Sequence, residues 1–297
     1  SSVKKFEKGT KVIDVAKSIS EGLARKVISA SFNKESYEVE SELHSDGNIK
    51  FHTWEDEEGK QAFWHSSAHI LAQTIKFFYP KCKLTIGPSI ENGFYYDVDF
   101  NGDTISEKDF KKIEEKFLEF ARLDSQFEMK SISKKDALDF YKKESNQYKI
   151  ELINALDDGT ISFCDHSDFS DLCKGGHIPS TGIVKAVKLL NIAGAYWRGD
   201  EKNNQLTRIY GISFPKQKLL TEYLELIERA KERDHRKIGK ELELFTFSSR
   251  VGNGLPLWLP NGTELRDLLQ NFLEDAQRRA GFKKVMSSHI GSKELYE

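Results

Sequence analysis

The chain of 297 residues is too long for one ordinary domain and suits two or three. Hydrophobic residues make up 38% and charged residues 31%, which is typical of a globular protein with a well-solvated surface. The net charge of -2 excludes a uniformly basic nucleic-acid binder, although 45 Lys and Arg residues can still form local basic faces.

Cysteine usage and hydropathy indicate the compartment. The odd number of 3 cysteines is too small for a disulfide framework and favours a reducing cytosol. No run approaches the roughly 18 apolar residues that span a bilayer, and the first residues lack the apolar core of a signal peptide. We therefore expect a cytoplasmic protein with no membrane segment.

Residues 3 to about 58 predict a small α+β unit with a short helix from Asp14. Strands are predicted over 26–32, 37–43 and 49–54, the last after an Asp-Gly-Asn turn. Strands with one short helix packed on them favour a β-grasp arrangement. The acidic run 55–58, followed by Gly59, marks the first predicted domain boundary.

The middle of the chain alternates between helical and extended patterns. Apolar periodicity and aromatic or β-branched content predict helices over 63–78, 106–122 and 134–143 and strands over 93–100, 186–193 and 205–214. Between them, residues 164–177 are rich in Cys, Asp, His, Ser and Gly, which predicts a loop that carries a functional site.

After Pro215 an apolar stripe predicts a long helix that ends near Gly239 and connects to the last segment. A Gly/Pro-rich stretch over 252–262 and a helix over 263–280 follow. Roughly fifty residues after the connector are few for a free-standing domain, so we interpret the end as a cut rather than a natural terminus.

One pair of motifs carries the chemistry. His65 and His69 lie at i and i+4 of a predicted helix, so both imidazoles project from one face. Cys173 and His177 follow in a segment with two intervening glycines that allow a tight turn. Together the four side chains suit zinc, and they equally suit metal-free acid–base work by histidine.

An isolated histidine pair at this spacing is most often a coincidence, and only the distant Cys/His pair favours a function. By local pattern alone, Lys149 is expected to be an exposed lysine and Tyr96 a half-buried strand residue. His166 is expected to be a solvated loop residue, and Cys82 and Cys164 are expected to be structural.

Several segments together resemble threonyl-tRNA synthetases, in order and spacing, across nearly the whole chain. They are HSSAH at 65–69, IGP at 86–88, NGFYYDV at 92–98, DLCKGGH at 171–177, AGAYWRGD at 193–200, RIYG at 208–211 and RDHRKIG at 233–239. The H-x3-H and C-x3-H motifs also occur in alanyl-tRNA editing proteins, whereas YWRGD and the RDHRK helix are more specific to the threonyl enzymes.

The resemblance implies an α+β fold in four parts. A TGS β-grasp domain is expected over 1–60, an editing domain over 61–225, a linker helix over 226–241 and an incomplete class II catalytic domain over 242–297. The later elements that bind ATP, magnesium and zinc in the full-length enzyme are absent here, so no cofactor is assigned to this chain. A homodimer is implied for the full-length enzyme.

The resemblance also implies the reaction, which is hydrolysis of serine wrongly attached to threonine tRNA. Serine lacks only a methyl group of threonine, which binding discriminates by roughly 1–3 kcal/mol, so a second hydrolytic sieve is expected. His65 and Lys149 are the expected catalytic residues. The expected substrate-binding residues are His69, Tyr96, Asp171, Cys173 and His177.

This chain departs from the family pattern at three positions and leaves two alternatives open. Lys174 and Gly176 stand where the family usually has Arg and Pro, and Ser288 lies near a usual proline. One alternative is a zinc-dependent alanyl-type editing hydrolase that uses the four histidine and cysteine ligands. The other is a non-catalytic fragment in which the β-grasp unit and the basic helix grip structured RNA.

Overall fold

A computed structural model describes residues 3–252, 254–286, 288 and 290–295. The predicted Gly/Pro-rich stretch and the predicted catalytic segment 242–297 therefore fall partly outside the described residues. The chain divides into two compact units, Ser1–Glu222 and Tyr223–Glu297. Of the described helices, none combines the length and the apolar character needed to cross a membrane.

The N-terminal part of the first unit is a small α+β fold, as predicted. Its elements are β1 (Thr10–Lys11), α1 (Val12–Ile19), α2 (Glu21–Ala24), β2 (Val27–Phe32), β3 (Glu35–Tyr37), β4 (Glu42–Leu43) and β5 (Ile49–Thr53). Strand β2 pairs with β3 and β5, and β1 pairs with β4, all antiparallel. Helix α1 buries Val12 and Ala16 against Val27, Ala30 and Val39, which form the core of this part.

The strand predicted over 37–43 is wrong in its middle. Strand β3 ends at Tyr37, and the chain turns between Glu38 and Ser41, where the Ser41 amide donates to the Glu38 carbonyl over 3.1 Å. The turn redirects the Glu38 side chain away from the sheet pairing. The poor alternation of apolar residues in this segment reflects the break.

Helix α3 (Glu57–Phe78) begins six residues before the predicted helix and includes Gly59 and the last two residues of the acidic segment. A Cβ on Gly59 would lie 1.9 Å from the Thr53 carbonyl oxygen, so this glycine permits close approach of helix and strand rather than a flexible link. Residues such as Phe63, Ile70 and Leu71 are fully buried, and α3 is the central helix of the unit.

The rest of the first unit surrounds α3. Its elements are β6 (Lys83–Leu84), β7 (Ser89–Ile90), β8 (Gly93–Asp99), α4 (Phe110–Arg122), β9 (Glu128–Ser131), α5 (Lys134–Lys143), α6 (Gln147–Asn154), β10 (Ser162–His166), β11 (Phe169–Leu172), β12 (Ala186–Tyr196), β13 (Gln205–Phe214) and α7 (Gln217–Glu232), the last of which continues into the second unit. One antiparallel sheet has the order β12–β13–β8–β6, with β7 also on β8, and a second has the order β11–β10–β9.

One prediction for this region needs correction, and two elements were missed. Residues 164–177 are not one loop, because β10 and β11 form an antiparallel hairpin and only the residues after Leu172 are irregular. Helix α6 and strand β9 were not predicted. The α+β class of the chain is confirmed, and α5 occupies the predicted residues.

In the second unit the single linker helix predicted over 226–241 is wrong. Helix α7 ends at Glu232, and a separate helix α8 (His235–Glu241) begins after Asp234, whose side chain accepts from the Arg236 amide and caps it. The remaining elements are the antiparallel pair β14 (Phe245–Phe247) and β15 (Pro256–Trp258), and α9 (Pro260–Arg279). Pro260 occupies the first turn of α9, where its missing N–H costs nothing.

Candidate active site

Helix α3 presents His65 and His69 on one face, with their ring centroids 4.9 Å apart. Two neighbouring side chains on another face of the helix, Trp64 and Ser67, fix its rotation. The Trp64 indole donates to the Ser213 carbonyl over 3.0 Å, and the Ser67 and Ser213 hydroxyls lie 2.7 Å apart. Because these contacts hold the opposite face against β13, both imidazoles point away from the sheet.

The segment after β11 places Cys173 and His177 next to the histidines of α3. Gly175 and Gly176 have φ angles of +101° and +91°, the left-handed region that favours glycine. The turn is tied to α3 by the Ile178 amide, which donates to the Ser66 hydroxyl over 3.0 Å. Proline, whose φ is fixed near −65°, could not adopt the conformation of Gly176. A chain with the proline that the family usually has here would therefore need a different backbone conformation in this turn.

The Cys173 thiol lies between two imidazoles. Its sulfur is 3.0 Å from Nε2 of His65 and 3.3 Å from Nε2 of His177. His65 Nδ1 is 3.4 Å from the Gly87 carbonyl oxygen. His69 completes the cluster. Each of the four residues offers one nitrogen or sulfur atom that could bind a metal, and these four atoms all lie within 4.8 Å of one another.

Burial governs the protonation of the α3 histidines. It lowers the pKa of His65, and it lowers the pKa of His69 well below the usual value, assisted by the neighbouring histidines. His177 behaves differently, because burial opposes its protonated form but hydrogen bonds to Cys173 and Glu38 outweigh that effect and raise its pKa. His65 and His69 are therefore neutral near pH 7.

A second buried group adjoins the histidines. The Lys149 ammonium lies 2.5 Å from Oδ1 of Asp171, and both side chains are less than 5% exposed. Asp171 also accepts hydrogen bonds from the Tyr96 and Tyr141 hydroxyls over 2.8 and 3.0 Å, and its Oδ2 lies 3.8 Å from His69 Nδ1. A buried lysine needs such a partner, since an unpaired charge inside a protein is strongly unfavourable.

A cavity of about 790 Å³ joins these groups. Its walls come from both the N-terminal sheet and the α3 part of the unit. The lining includes His65, His69, Tyr96, Lys149, Asp171 and Cys173 on one side and Ser29, Ser31, Lys34, Ser36 and His52 on the other. The cavity thus presents imidazole, thiol, ammonium, carboxylate and phenol groups to a common space large enough for a small organic group.

All the predicted site residues, His65, His69, Tyr96, Lys149, Asp171, Cys173 and His177, lie in this one cluster. The expectations from local pattern alone were wrong for Lys149, which is 2% exposed, and for Tyr96, which is fully buried. Cys82 and Cys164 are buried, in keeping with a structural role.

Two residues of the cluster were not anticipated. Tyr141 lies on the buried face of α5, which the amphipathic pattern indicates, but nothing local indicates that its hydroxyl reaches Asp171. Glu38 comes from the turn after β3 and contacts His177, 139 residues later in the chain. Only the folded arrangement reveals either contact.

His166 is a further correction, because it is buried in β10 rather than solvated. Neither ring nitrogen has a hydrogen-bond partner in the part of the chain that the structure describes, and the ring centroid lies 4.9 Å from that of Phe127 and 5.3 Å from that of Phe169. Burial lowers the pKa of His166 to about 4. His166 is therefore an uncharged core residue at neutral pH.

We expect His166 to make the fold sensitive to acid. In the unfolded chain this histidine has the usual pKa of ~6.5, whereas in the folded chain its pKa is about 4. Between these two pH values the unfolded chain therefore binds a proton at this position and the folded chain does not. The free energy of unfolding should therefore fall with decreasing pH, by up to about 3 kcal/mol from this group. Urea denaturation at pH 7 and pH 4.5 should show a smaller loss in His166→Phe than in the wild type. His44→Gln is the control and should lose as much free energy of unfolding as the wild type. An equal loss in His166→Phe and the wild type would contradict this explanation.

Comparisons with known proteins agree with this architecture. Residues 1–53 match the family model described as the TGS domain, and residues 161–210 match that of the threonyl and alanyl tRNA synthetase second additional domain. The second match includes Cys173, His177 and the hairpin before them. The chain thus combines a TGS domain with a second additional domain of the synthetase type.

The whole chain is similar to threonine--tRNA ligases. It is 61% identical to that of Flavobacterium psychrophilum and 62% identical to that of Flavobacterium johnsoniae, over 99% of this chain and 45% of each relative. The ligase of Cytophaga hutchinsonii is 54% identical over 99% of this chain and 46% of its own length. The resemblance drawn from the motifs is confirmed, and the chain spans about half the length of the curated relatives it matches, corresponding to their N-terminal half.

Proposed function

We propose that this chain binds threonine tRNA carrying a wrongly attached serine and hydrolyses the ester. The observation that carries the proposal is the convergence of the histidine–thiol cluster and the Lys149–Asp171 pair on one cavity. Residues 61–225 would form the editing domain, and residues 242–297 would begin a class II catalytic domain. Charging of tRNA would need the rest of the longer relatives.

The base is assigned from the hydrogen bonds around the thiol. The Gly87 carbonyl can only accept, so His65 carries its proton on Nδ1 and directs the Nε2 lone pair toward Cys173. Cys173 has one S–H proton and two neighbouring imidazoles. We propose that it donates to Nε2 of His177, whose other ring nitrogen faces the Glu38 carboxylate, so that His65 Nε2 stays free. His65 also lines the cavity.

In the proposed reaction, water attacks the ester carbonyl carbon while His65 takes one of its protons. The Lys149 ammonium stabilises the negative charge that develops on the carbonyl oxygen. The bond between the carbonyl carbon and the ribose oxygen then breaks, and the imidazolium of His65 returns the proton to the leaving oxygen. The products are serine and a free tRNA 3′ end.

The remaining residues would hold the substrate. Asp171 carries a carboxylate that can pair with the ammonium of the serine moiety. Tyr96 donates its hydroxyl to Asp171 and lines the same cavity, where its ring would contact the terminal adenosine. Selection of serine over threonine would rest on size, because polar groups that accept serine accept threonine equally and only the extra methyl distinguishes the two.

The test is hydrolysis of seryl and threonyl esters, both made on threonine tRNA, by the wild-type chain. We expect rapid loss of serine and slow loss of threonine. Loss of neither ester would contradict the proposal and favour a non-catalytic fragment that binds RNA. Equal loss of both esters would contradict the size-based selection while leaving the hydrolase in place.

A zinc-dependent hydrolase is the second candidate, favoured by the arrangement of His65, His69, Cys173 and His177. The donor set suits zinc, and both ring nitrogens of His69 lack a hydrogen-bond partner among the described residues. When bound, a zinc ion at these four residues would lower the pKa of a coordinated water or polarise the ester carbonyl.

Metal analysis separates the two candidates. On the metal-free proposal, we expect purified chain to contain well under one zinc per molecule and to keep its rate of seryl ester hydrolysis after dialysis against a chelator. One zinc per chain in the wild type, absent from Cys173→Ala and lost together with activity during dialysis, would instead establish the zinc-dependent hydrolase.

A further inference from the structure

A carboxylate from the TGS part of the chain reaches the histidine–thiol cluster. Glu38 lies in the turn between β3 and β4, and its side chain is 15% exposed. Its Oε1 accepts from the backbone amides of Gly176 and His177 over 3.0 and 3.2 Å and lies 3.0 Å from Nδ1 of His177. Its Oε2 lies 3.3 Å from the His177 amide.

These contacts fix the proton on the His177 ring. A carboxylate at this distance requires the facing nitrogen to be a donor, so Nδ1 carries the proton. The Cys164 sulfur, 3.6 Å from the same nitrogen, is a weaker partner than a charged oxygen at 3.0 Å. Phe127 stacks on the ring with its plane only 9° away and holds the ring without choosing between its nitrogens.

The consequence appears on the other side of the ring. With the proton on Nδ1, neutral His177 directs the Nε2 lone pair at the Cys173 thiol. The thiol can then donate to His177, which leaves His65 free. A proton on Nε2 instead would turn His177 into a donor, direct the thiol proton toward His65 and occupy the lone pair that the reaction needs.

We propose that Glu38 is a positioning residue of the editing site, so that the TGS domain contributes to catalysis through His177 and the turn that carries it. This inference rests on the proposed hydrolysis of seryl-tRNA. Glu38 does not line the cavity and contacts no reacting group. It acts on the tautomer of His177 and on the direction of the Gly176 and His177 amides.

The test compares Glu38→Ala, Glu38→Gln and the wild type in the full 297-residue chain. Glu38→Ala removes every acceptor and should lower kcat for seryl ester hydrolysis by about 10–100-fold, as expected for loss of an outer partner of a functional histidine. Glu38→Gln keeps an oxygen for Nδ1 and should recover most of the loss. KM should change by less than about twofold, because Glu38 does not touch the substrate.

Nitrogen-15 NMR of the His177 ring supplies a readout that does not depend on activity. The wild type should show a protonated Nδ1 and an unprotonated Nε2, and Glu38→Ala should shift the ring toward the other tautomer. Glu40→Ala is the matched control, since Glu40 lies two residues away and pairs with Lys11 at the surface over 3.2 Å. We expect this control to leave both kcat and the ring tautomer unchanged.

The outcomes are separable. Unchanged kcat in Glu38→Ala would overturn the positioning role, and so would a lower kcat with an unchanged His177 tautomer, because the residue would then be merely structural. If the wild type hydrolyses no ester, the proposed function fails. The NMR comparison alone then decides whether Glu38 determines the tautomer of the His177 ring. A lower melting temperature with a wild-type tautomer would also count against the inference.

Discussion

Replacing His65 with alanine should lower the rate of seryl ester hydrolysis by about 10²–10⁴-fold, the usual contribution of a general base. The variant loses the Nε2 lone pair of a histidine that lines the cavity, whereas His177 lies on the other side of Cys173 and does not line it. The measurement is single-turnover deacylation of seryl-tRNA at saturating protein, which reports the chemical step directly.

The control for this experiment is His44→Ala, because His44 is exposed and lies outside the cavity. Both variants should fold as the wild type does. A His65→Ala rate within about threefold of the wild type would contradict the assignment of the base, since such a difference is under 1 kcal/mol of activation free energy. In that event His69 becomes the better candidate, because it is the other histidine of the cluster that lines the cavity.

The second large effect concerns stability. Replacing Asp171 with asparagine should lower the free energy of unfolding by about 3–5 kcal/mol, the cost of breaking a buried ion pair. The change leaves the Lys149 ammonium buried without a charged partner. The new amide nitrogen also replaces an oxygen that accepts a hydrogen bond from a tyrosine hydroxyl, either Tyr96 at Oδ2 or Tyr141 at Oδ1. Urea denaturation with a fixed m-value should show the shift in midpoint.

Asp139→Asn is the matched control, because Asp139 pairs with Lys142 over 3.3 Å on the exposed face of α5. Such a surface pair contributes about 1 kcal/mol or less. The combination of Asp171→Asn with Lys149→Met should be more stable than the sum of the single changes, since neither charge is then left alone. A midpoint shift for Asp171→Asn no larger than that of the control would contradict a buried ion pair.

The same pair explains how a lysine can serve at a buried site. Asp171 makes it favourable for Lys149 to keep its charge away from water, and each carboxylate oxygen also accepts a hydrogen bond from a tyrosine hydroxyl. The ammonium has three N–H groups, of which Asp171 takes one. On the proposed mechanism another of these N–H groups stabilises the oxyanion, so the ion pair contributes both to stability and to the proposed catalysis.

Local pattern and family motifs predicted much of the site. The spacing of His65 and His69 indicated one helical face, and the two glycines before His177 indicated the tight turn that Gly175 and Gly176 form. Apolar periodicity predicted α5 to the residue and the body of α4. These features follow from backbone geometry and side-chain spacing within a few residues, which the sequence records directly.

The tertiary structure decided what each polar residue faces. Lys149 and His166 have the local pattern of solvated residues, yet one is buried against Asp171 and the other among aromatic rings. Periodicity reports which face of an element is apolar, but a polar residue looks the same whether it meets water or a distant partner. The sequence alone therefore determined the α+β class, the resemblance to threonine--tRNA ligases and the four histidine and cysteine residues. Only the fold, which brings Glu38 and Tyr141 to the same cluster from remote segments, decided which charges and protons the site can hold.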